Sequence, residues 1–175
     1  MEIQTPRFRL VPFSAENLLA LIQGYDEFAR SFGNRAANGL RDFLVSGDVS
    51  QDFLDNLRSS SGTDPWTQGF AVVEGSTDSV IGTAGFKGPP DDEGIVEIAY
   101  GIVPDFEGQG VATEAAGSLV KFASGDSRIR MIRAHTLPES NASTRVLTKN
   151  GFVKIAELVD PDDGPVWRWE RGVSK

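Results

Sequence analysis

The stretch "VPDFEGQGVATEA", positions 103 to 115, sets Gly108 and Gly110 on either side of Gln109, just where an extended segment must turn into a helix. A glycine shields no neighbouring amide, and the first N–H groups of a helix lack intrahelical partners and carry partial positive charge. Such a turn offers main-chain donors to an anion of pyrophosphate size. Other positions hold side chains with usable chemistry. Glu97 stands in the otherwise apolar run "IVEIAYGIV", where desolvation would tune a carboxylate for proton transfer, or where it instead faces solvent or serves as a salt-bridge partner. Asn141 and Ser143 open a helical run, as N-caps or as polar groups facing a ligand. His135, the only histidine, falls late in a strand, where a structural role is expected before a role as base.

Nucleotide-binding alternatives can be read against the letters. A Walker loop needs G-x-x-x-x-G-K-[ST], and no such string occurs. A dinucleotide fingerprint needs glycine or alanine where Thr113 stands, and belongs after a first strand.

The elements that must position these residues follow from periodicity. "RFRLVPF" alternates as a strand with one buried face, and Ser14 caps a helix carrying Leu18, Leu19 and Ile22 that Gly24 ends. Between 25 and 62, Phe28, Phe32, Phe43, Leu44, Phe53, Leu54 and Leu57 suggest short helices broken by Gly33, Gly39 and Gly47. From Trp66 the pattern turns to strands: "WTQGFAVVE" and "VIGTAGFKG" form a hairpin about "GSTDS", and "IVEIAYGIV" reads as a central strand. Val111, Ala115, Leu119 and Phe122, beside Ala112 and Ala116, then make the apolar face of a helix ending near Gly125. "RIRMIRAHTL" follows as a strand parallel to the previous one through a right-handed crossover. A second helix, "SNASTRVLTKNG", closes at Gly151, and "FVKIAELV" with "PVWRWER" forms a final hairpin. Trp167 and Trp169 share one face there, as sheet packing or a subunit contact, and Tyr100 shares a face with Ile102, in the core or lining a pocket. The fold class is α+β (mixed α/β), with a central mixed sheet of about six to seven strands and helices on both faces.

With 175 residues and no linker, the chain reads as one domain, residues 1–175, large enough for a continuous core. There are no cysteines for disulfides or thiol chemistry, and no metal is implied. Apolar runs are too short to span a membrane, and "MEIQTPRFRL" lacks the apolar centre of a signal peptide, so a cytoplasmic protein is expected. A net charge of -8 argues against nucleic acid as a partner.

The block "VEIAYGIVPDFEGQGVATEA", followed one crossover later by "AHTLPESNASTRVLTKNGF", resembles the GNAT superfamily of acyl-CoA-dependent N-acetyltransferases, especially the branch that acetylates ribosomal-protein amino termini. The resemblance implies a splayed pair of parallel strands with the pantetheine of acetyl-CoA in the gap. Ile102 and Val103 would offer backbone groups to it, and the amides of Glu107, Gly108, Gln109, Gly110, Val111, Ala112 and Thr113 would hold the pyrophosphate. It puts Asn141 against the pantetheine and Ser143 near the sulfur, and makes Glu97 the base that deprotonates an amine through water. The acceptor would be a primary amine, either a protein amino terminus or a small amine or amino acid, and the enzyme a monomer or homodimer. A non-catalytic acyl-CoA-binding or regulatory module is the alternative. Glu107 departs from the family pattern, which commonly has Gln or Arg there, so backbone amides would have to dominate phosphate binding.

Overall fold

The computed structural model describes residues 1–45 and 49–173. The chain opens with β1 (Ile3–Gln4) and β2 (Phe8–Pro12), followed by α1 (Ala15–Gln23), α2 (Tyr25–Phe32), α3 (Asp42–Val45) and α4 (Gln51–Ser59). A meander of β3 (Phe70–Glu74), β4 (Val80–Phe86) and β5 (Ile95–Ile102) comes next, then a 3₁₀ turn at Pro104–Phe106 and α5 (Val111–Ser124). The chain ends in β6 (Met131–Thr136), α6 (Ala142–Lys149), β7 (Val153–Asp160) and β8 (Gly164–Gly172). These strands form an eight-stranded sheet in the order β1-β2-β3-β4-β5-β6-β8-β7. Neighbours are antiparallel except β5 and β6, which are joined by a crossover through α5 and pair parallel.

The extra strand beyond the six to seven expected is β1, only Ile3–Gln4, too short to show a period in sequence. Trp66, expected at the head of a strand, lies instead in a turn, and β3 begins at Phe70. Its indole caps an aromatic cluster with Phe86 and Phe122, and Phe70 stacks edge-on against Phe122. Burial of that cluster outweighs the local strand pattern. Ser14 caps α1 in a reciprocal box with Asn17, and Gly24 and Gly33 end α1 and α2. The break expected at Gly47 lies outside the described residues.

The sheet has two dressed faces. Phe70, Ala84, Phe86, Ile98, Tyr100 and Ile102 share one of them through cross-strand pairing, and α5 packs there through Phe122. Thr83, Gly85, Ala99 and Gly101 share the other, where α3 lays Phe43 directly on Gly101. A Cβ on Gly101 would meet that ring at 3.0 Å, so glycine is what lets the helix sit so close.

The arrangement that matters for function is the parting of β5 from β6. Their pairing runs only from Ile95 with Met131 to Glu97 with Arg133, although β5 continues to Ile102 and β6 to Thr136. Beyond Glu97 the strands diverge and leave a gap in the middle of the sheet.

Candidate active site

The gap opens into a cleft of about 570 Å³ lined by β5, the loop after it, the start of α5, one side of α6 from Ala142 to Lys149, and Phe43 of α3. Antiparallel strands alternate which way their backbone groups point. Val103 donates its N–H to Ile81 at 2.9 Å, and Lys87 donates to the Glu97 carbonyl at 2.9 Å, so odd-numbered residues of this stretch bond toward β4. Tyr100 and Ile102 therefore direct their N–H and C=O groups into the gap, where β6 no longer reaches them. Of the expected pair, Ile102 offers its backbone to the cleft and Val103 does not: its amide is bonded to Ile81, its carbonyl accepts from Phe106, and its side chain is fully buried.

The glycine loop forms a cradle. Gly108 and Gly110 have φ of +74° and +79°, and a Cβ added at Gly108 would meet nothing within 4 Å. No partner among the described residues takes the amides of Gly108, Gln109, Gly110, Val111, Ala112 or Thr113. Glu107 is the exception in the expected set, because its amide closes the 3₁₀ turn on Pro104 at 3.2 Å. Its carboxylate is exposed at the cleft wall. Gln109 contributes its amide alone; its carbonyl accepts from Arg7 Nη1 at 2.9 Å and its side chain turns back to Asp105.

Cations gather around this cradle in a chain of net charge -8. Arg7, just ahead of β2, grips the Glu114 carboxylate through Nε at 3.0 Å and Nη2 at 2.8 Å, and stands over Gly110. For Glu114, burial works against ionisation, but hydrogen bonds from Thr5 and Arg7 and the charge of Arg7 outweigh it and hold its pKa below the usual carboxylate value. Arg145 and Lys149 line the cleft from exposed positions of α6, and neither is ion-paired among the described residues.

At the other side of the gap, Asn141 caps α6. Its side-chain oxygen accepts from the Thr144 amide at 3.0 Å while Thr144 Oγ1 accepts from the Asn141 amide at 3.0 Å. Asn141 is thus occupied as a helix cap and stays outside the cleft lining, whereas Ser143 lines it. Tyr100 faces Ser143 from β5. Burial pushes its phenol up to about 12, and hydrogen bonding with Ser143 offsets part of that.

A family model described as an acetyltransferase (GNAT) domain matches residues 7–153. The chain belongs to the GNAT acetyltransferase family. Among relatives, it is 32% identical over 91 residues to the "Uncharacterized N-acetyltransferase p20" of Bacillus licheniformis, an alignment covering 52% of this chain and about half, 51%, of that protein. A GNAT-family acetyltransferase structure from Bacillus anthracis superposes with a TM-score of 0.68 at 18% identity, over 98% of each chain. A ribosomal L7/L12 alpha-N-protein acetyltransferase, solved in complex with coenzyme A, superposes with a TM-score of 0.64 at 15% identity, over 99% of this chain and 98% of that one. At such identities the structural likeness shows the GNAT fold.

Glu97 does not stand among apolar groups, as its strand suggested. Oε1 accepts from His135 Nδ1 at 2.6 Å, and Oε2 pairs with Lys87 Nζ at 2.7 Å. Arg168 Nε donates to His135 Nε2 at 3.1 Å, which leaves Nδ1 as the protonated nitrogen. His135 is therefore a satisfied link between Glu97 and Arg168. Trp169 donates to Thr136 at 3.0 Å and Trp167 carries Lys154 over its ring, so both tryptophans serve the sheet.

A second hollow, of about 320 Å³, lies on the α1, α3 and α4 side of the sheet. Phe13, Leu18, Phe43, Leu44 and Phe53 wall it over Gly69, Gly85 and Gly101. It shares Phe43, Tyr100 and Gly101 with the cleft, so the two cavities meet at those residues. The helical spacing of Ala142, Arg145, Val146 and Lys149 was a signal for the basic stripe that sequence reading passed over. Nothing local in the sequence points from Arg7 to Glu114, 107 residues away.

Proposed function

We propose that this chain transfers the acetyl group of acetyl-CoA to a primary amine, both substrates bound together. The observation that carries the reading is the cleft itself: a gap in the sheet with open backbone groups on one wall, ending in a cradle of amides that have no partner among the described residues, flanked by cations. The amides of Gly108 to Thr113 fit a pyrophosphate by direction and charge, with Arg145 and Lys149 beside them. Ile102 fits an amide-bearing arm such as pantetheine through its main chain. The coenzyme A complex of the ribosomal L7/L12 relative supports the same ligand here.

The acceptor amine enters from the apolar hollow and reaches the thioester where the cavities meet. Glu97 shares the strand face of Ala99 and Gly101, which line that hollow, and accepts the proton of the attacking nitrogen through solvent. Asn141 contributes by fixing the start of α6 and thereby Ser143, which faces the sulfur end of the cleft. Both a protein amino terminus and a small amine suit a groove open at one end. A cytoplasmic setting, where acetyl-CoA is at hand, accompanies this reading.

One observation favours the alternative of a binding module without transfer: Glu97 is already paired with Lys87. A thiol-release assay with acetyl-CoA and a panel of primary amines, beside calorimetry with CoA, separates the two. Amine-dependent thiol release establishes the enzyme; binding without release under every amine establishes the module; absence of binding overturns both.

A further inference from the structure

We propose that His135 and Arg168 are positioning residues for the proton-accepting step: Arg168 fixes the imidazole with its proton on Nδ1, and that N–H anchors one oxygen of Glu97 so that the other does the work. This deepens the acetyl-transfer reading and rests on it. The observation is a row of three side chains carried by three neighbouring strands. Glu97 on β5 meets His135 on β6, and His135 stands directly opposite Arg168 on β8. Glu97 Oε1 accepts from Nδ1 at 2.6 Å, and Nε2 accepts from Arg168 Nε at 3.1 Å. The row lies where β5 and β6 part, since Glu97 belongs to their last pair, and the His135 and Glu97 side chains are only 17% and 19% exposed.

The chemistry of the three groups allows one arrangement of protons. A neutral imidazole donates at one nitrogen and accepts at the other, while a guanidinium has donors only. The nitrogen facing Arg168 must therefore accept, which places the proton on Nδ1 and aims it at a carboxylate oxygen. The other tautomer would set two N–H groups against each other at Arg168 and a bare lone pair against Glu97. Other charged groups nearby have partners of their own. Arg133, in register with Glu97, pairs with Glu170 at 2.6 Å, and Asp160 at the end of β7 accepts from the amides of Asp162 and Asp163. Lys87 holds the second oxygen, Oε2, at 2.7 Å, but its side chain is 55% exposed and its flexible stem lets it give way to an incoming nitrogen.

The two oxygens of Glu97 thus have different duties. Oε1 is tied into the sheet through His135, and Oε2 is the one that turns over. The proton shed by the attacking nitrogen passes to Oε2 through solvent and returns to solvent, and the carboxylate ends as it began. His135 gains and loses no proton, so it acts through Glu97 by holding it.

The test uses the whole chain without a tag, in which His135 is the one histidine and its ring nitrogens can be read without overlap in nitrogen-15 spectra. At neutral pH the ring should show a protonated Nδ1 and a bare Nε2; any other pattern overturns the inference. Kinetics with acetyl-CoA and the best amine of the panel then separate aim from bulk. Asparagine can place an amide N–H where Nδ1–H stood, whereas glutamine reaches the place of Nε2. His135→Gln should lower kcat about 10-fold with the acceptor KM little changed, the scale of a small misplacement, and His135→Asn should recover most of that loss. Arg168→Met should turn the ring into a mixture of tautomers and lower kcat, while Arg168→Lys, which keeps a donor, should hold both. Equal kcat within either pair overturns the inference, as does a Glu97→Gln chain that keeps the original kcat, and each leaves the acetyl-transfer reading standing. If the original chain releases no thiol with any amine, both fall. Should the His135 variants lose their fold, the Arg168 pair and the ring spectrum of the original chain decide.

Discussion

Gly110 holds φ at +79° with Arg7 Nη2 only 3.1 Å from where a Cβ would stand. Gly110→Val therefore strains the backbone and displaces the guanidinium, at a cost of about 1–3 kcal/mol for the strain. We expect it to abolish CoA binding in a calorimetric titration, while Glu107→Gln keeps or tightens it, because that amide is already bonded to Pro104 and only the exposed carboxylate changes. The reverse order would contradict a backbone-dominated cradle. Tyr100 gives a prediction of a different kind. Its phenol is raised from 10.0 to about 12 in the folded state, so the unfolded chain ionises first as pH rises. Its contribution is complete below about pH 10 and is lost as pH climbs toward about 12. Denaturation in urea at about pH 8 and about pH 11 should show a smaller alkaline loss in Tyr100→Phe than in the original chain. At this scale the sequence displayed residue types well and partners poorly. The glycine pair was legible because its conformational demand is local. That Glu97 would meet Lys87 and His135, and that Asn141 would be held by Thr144, depended on where strands and caps came to rest.

The start of α5 is anchored from far away in the chain, by Arg7 on Glu114. The Glu114 carboxylate is depressed in the fold, so the stability it adds is present above the ordinary carboxylate range and fades as pH drops through its lowered value. Glu114→Gln should cost up to about 1 kcal/mol at neutral pH, since Arg7 is half-exposed, and should flatten the acid side of a stability profile. The cleft-facing stripe of α6 makes a separate prediction. Arg145→Ala and Lys149→Ala should each weaken CoA several-fold at low salt, with the difference narrowing as salt is raised, because both are exposed charges. Elements with a strong period, α5 and the strands β4 and β5, could be read from sequence with near-correct bounds. Between 25 and 59 the short helices and the stop of α2 at Gly33 were legible, but the bounds of α3 were not, because it is four residues long and owes its place to Phe43 docking on Gly101.

Across the whole molecule the sheet is lopsided in how it meets water. β7 is the last strand of its order and turns Val153, Ile155 and Val159 outward, exposed by 64%, 51% and 75%. Val159→Lys should leave stability within about 0.5 kcal/mol and thiol release unchanged, since the side chain touches neither cleft nor core. The other irregularity is internal. A sheet ordinarily satisfies its strands everywhere except along its rims, yet β5 keeps a second, hidden rim beyond Glu97 where it parts from β6. A thioester carrier laid along Tyr100 and Ile102 would take the seat of a missing strand and knit the two halves into one continuous ladder. Deuterium uptake at those amides should then be quick in the bare protein and slow with CoA present, so that the guest also works as part of the scaffold.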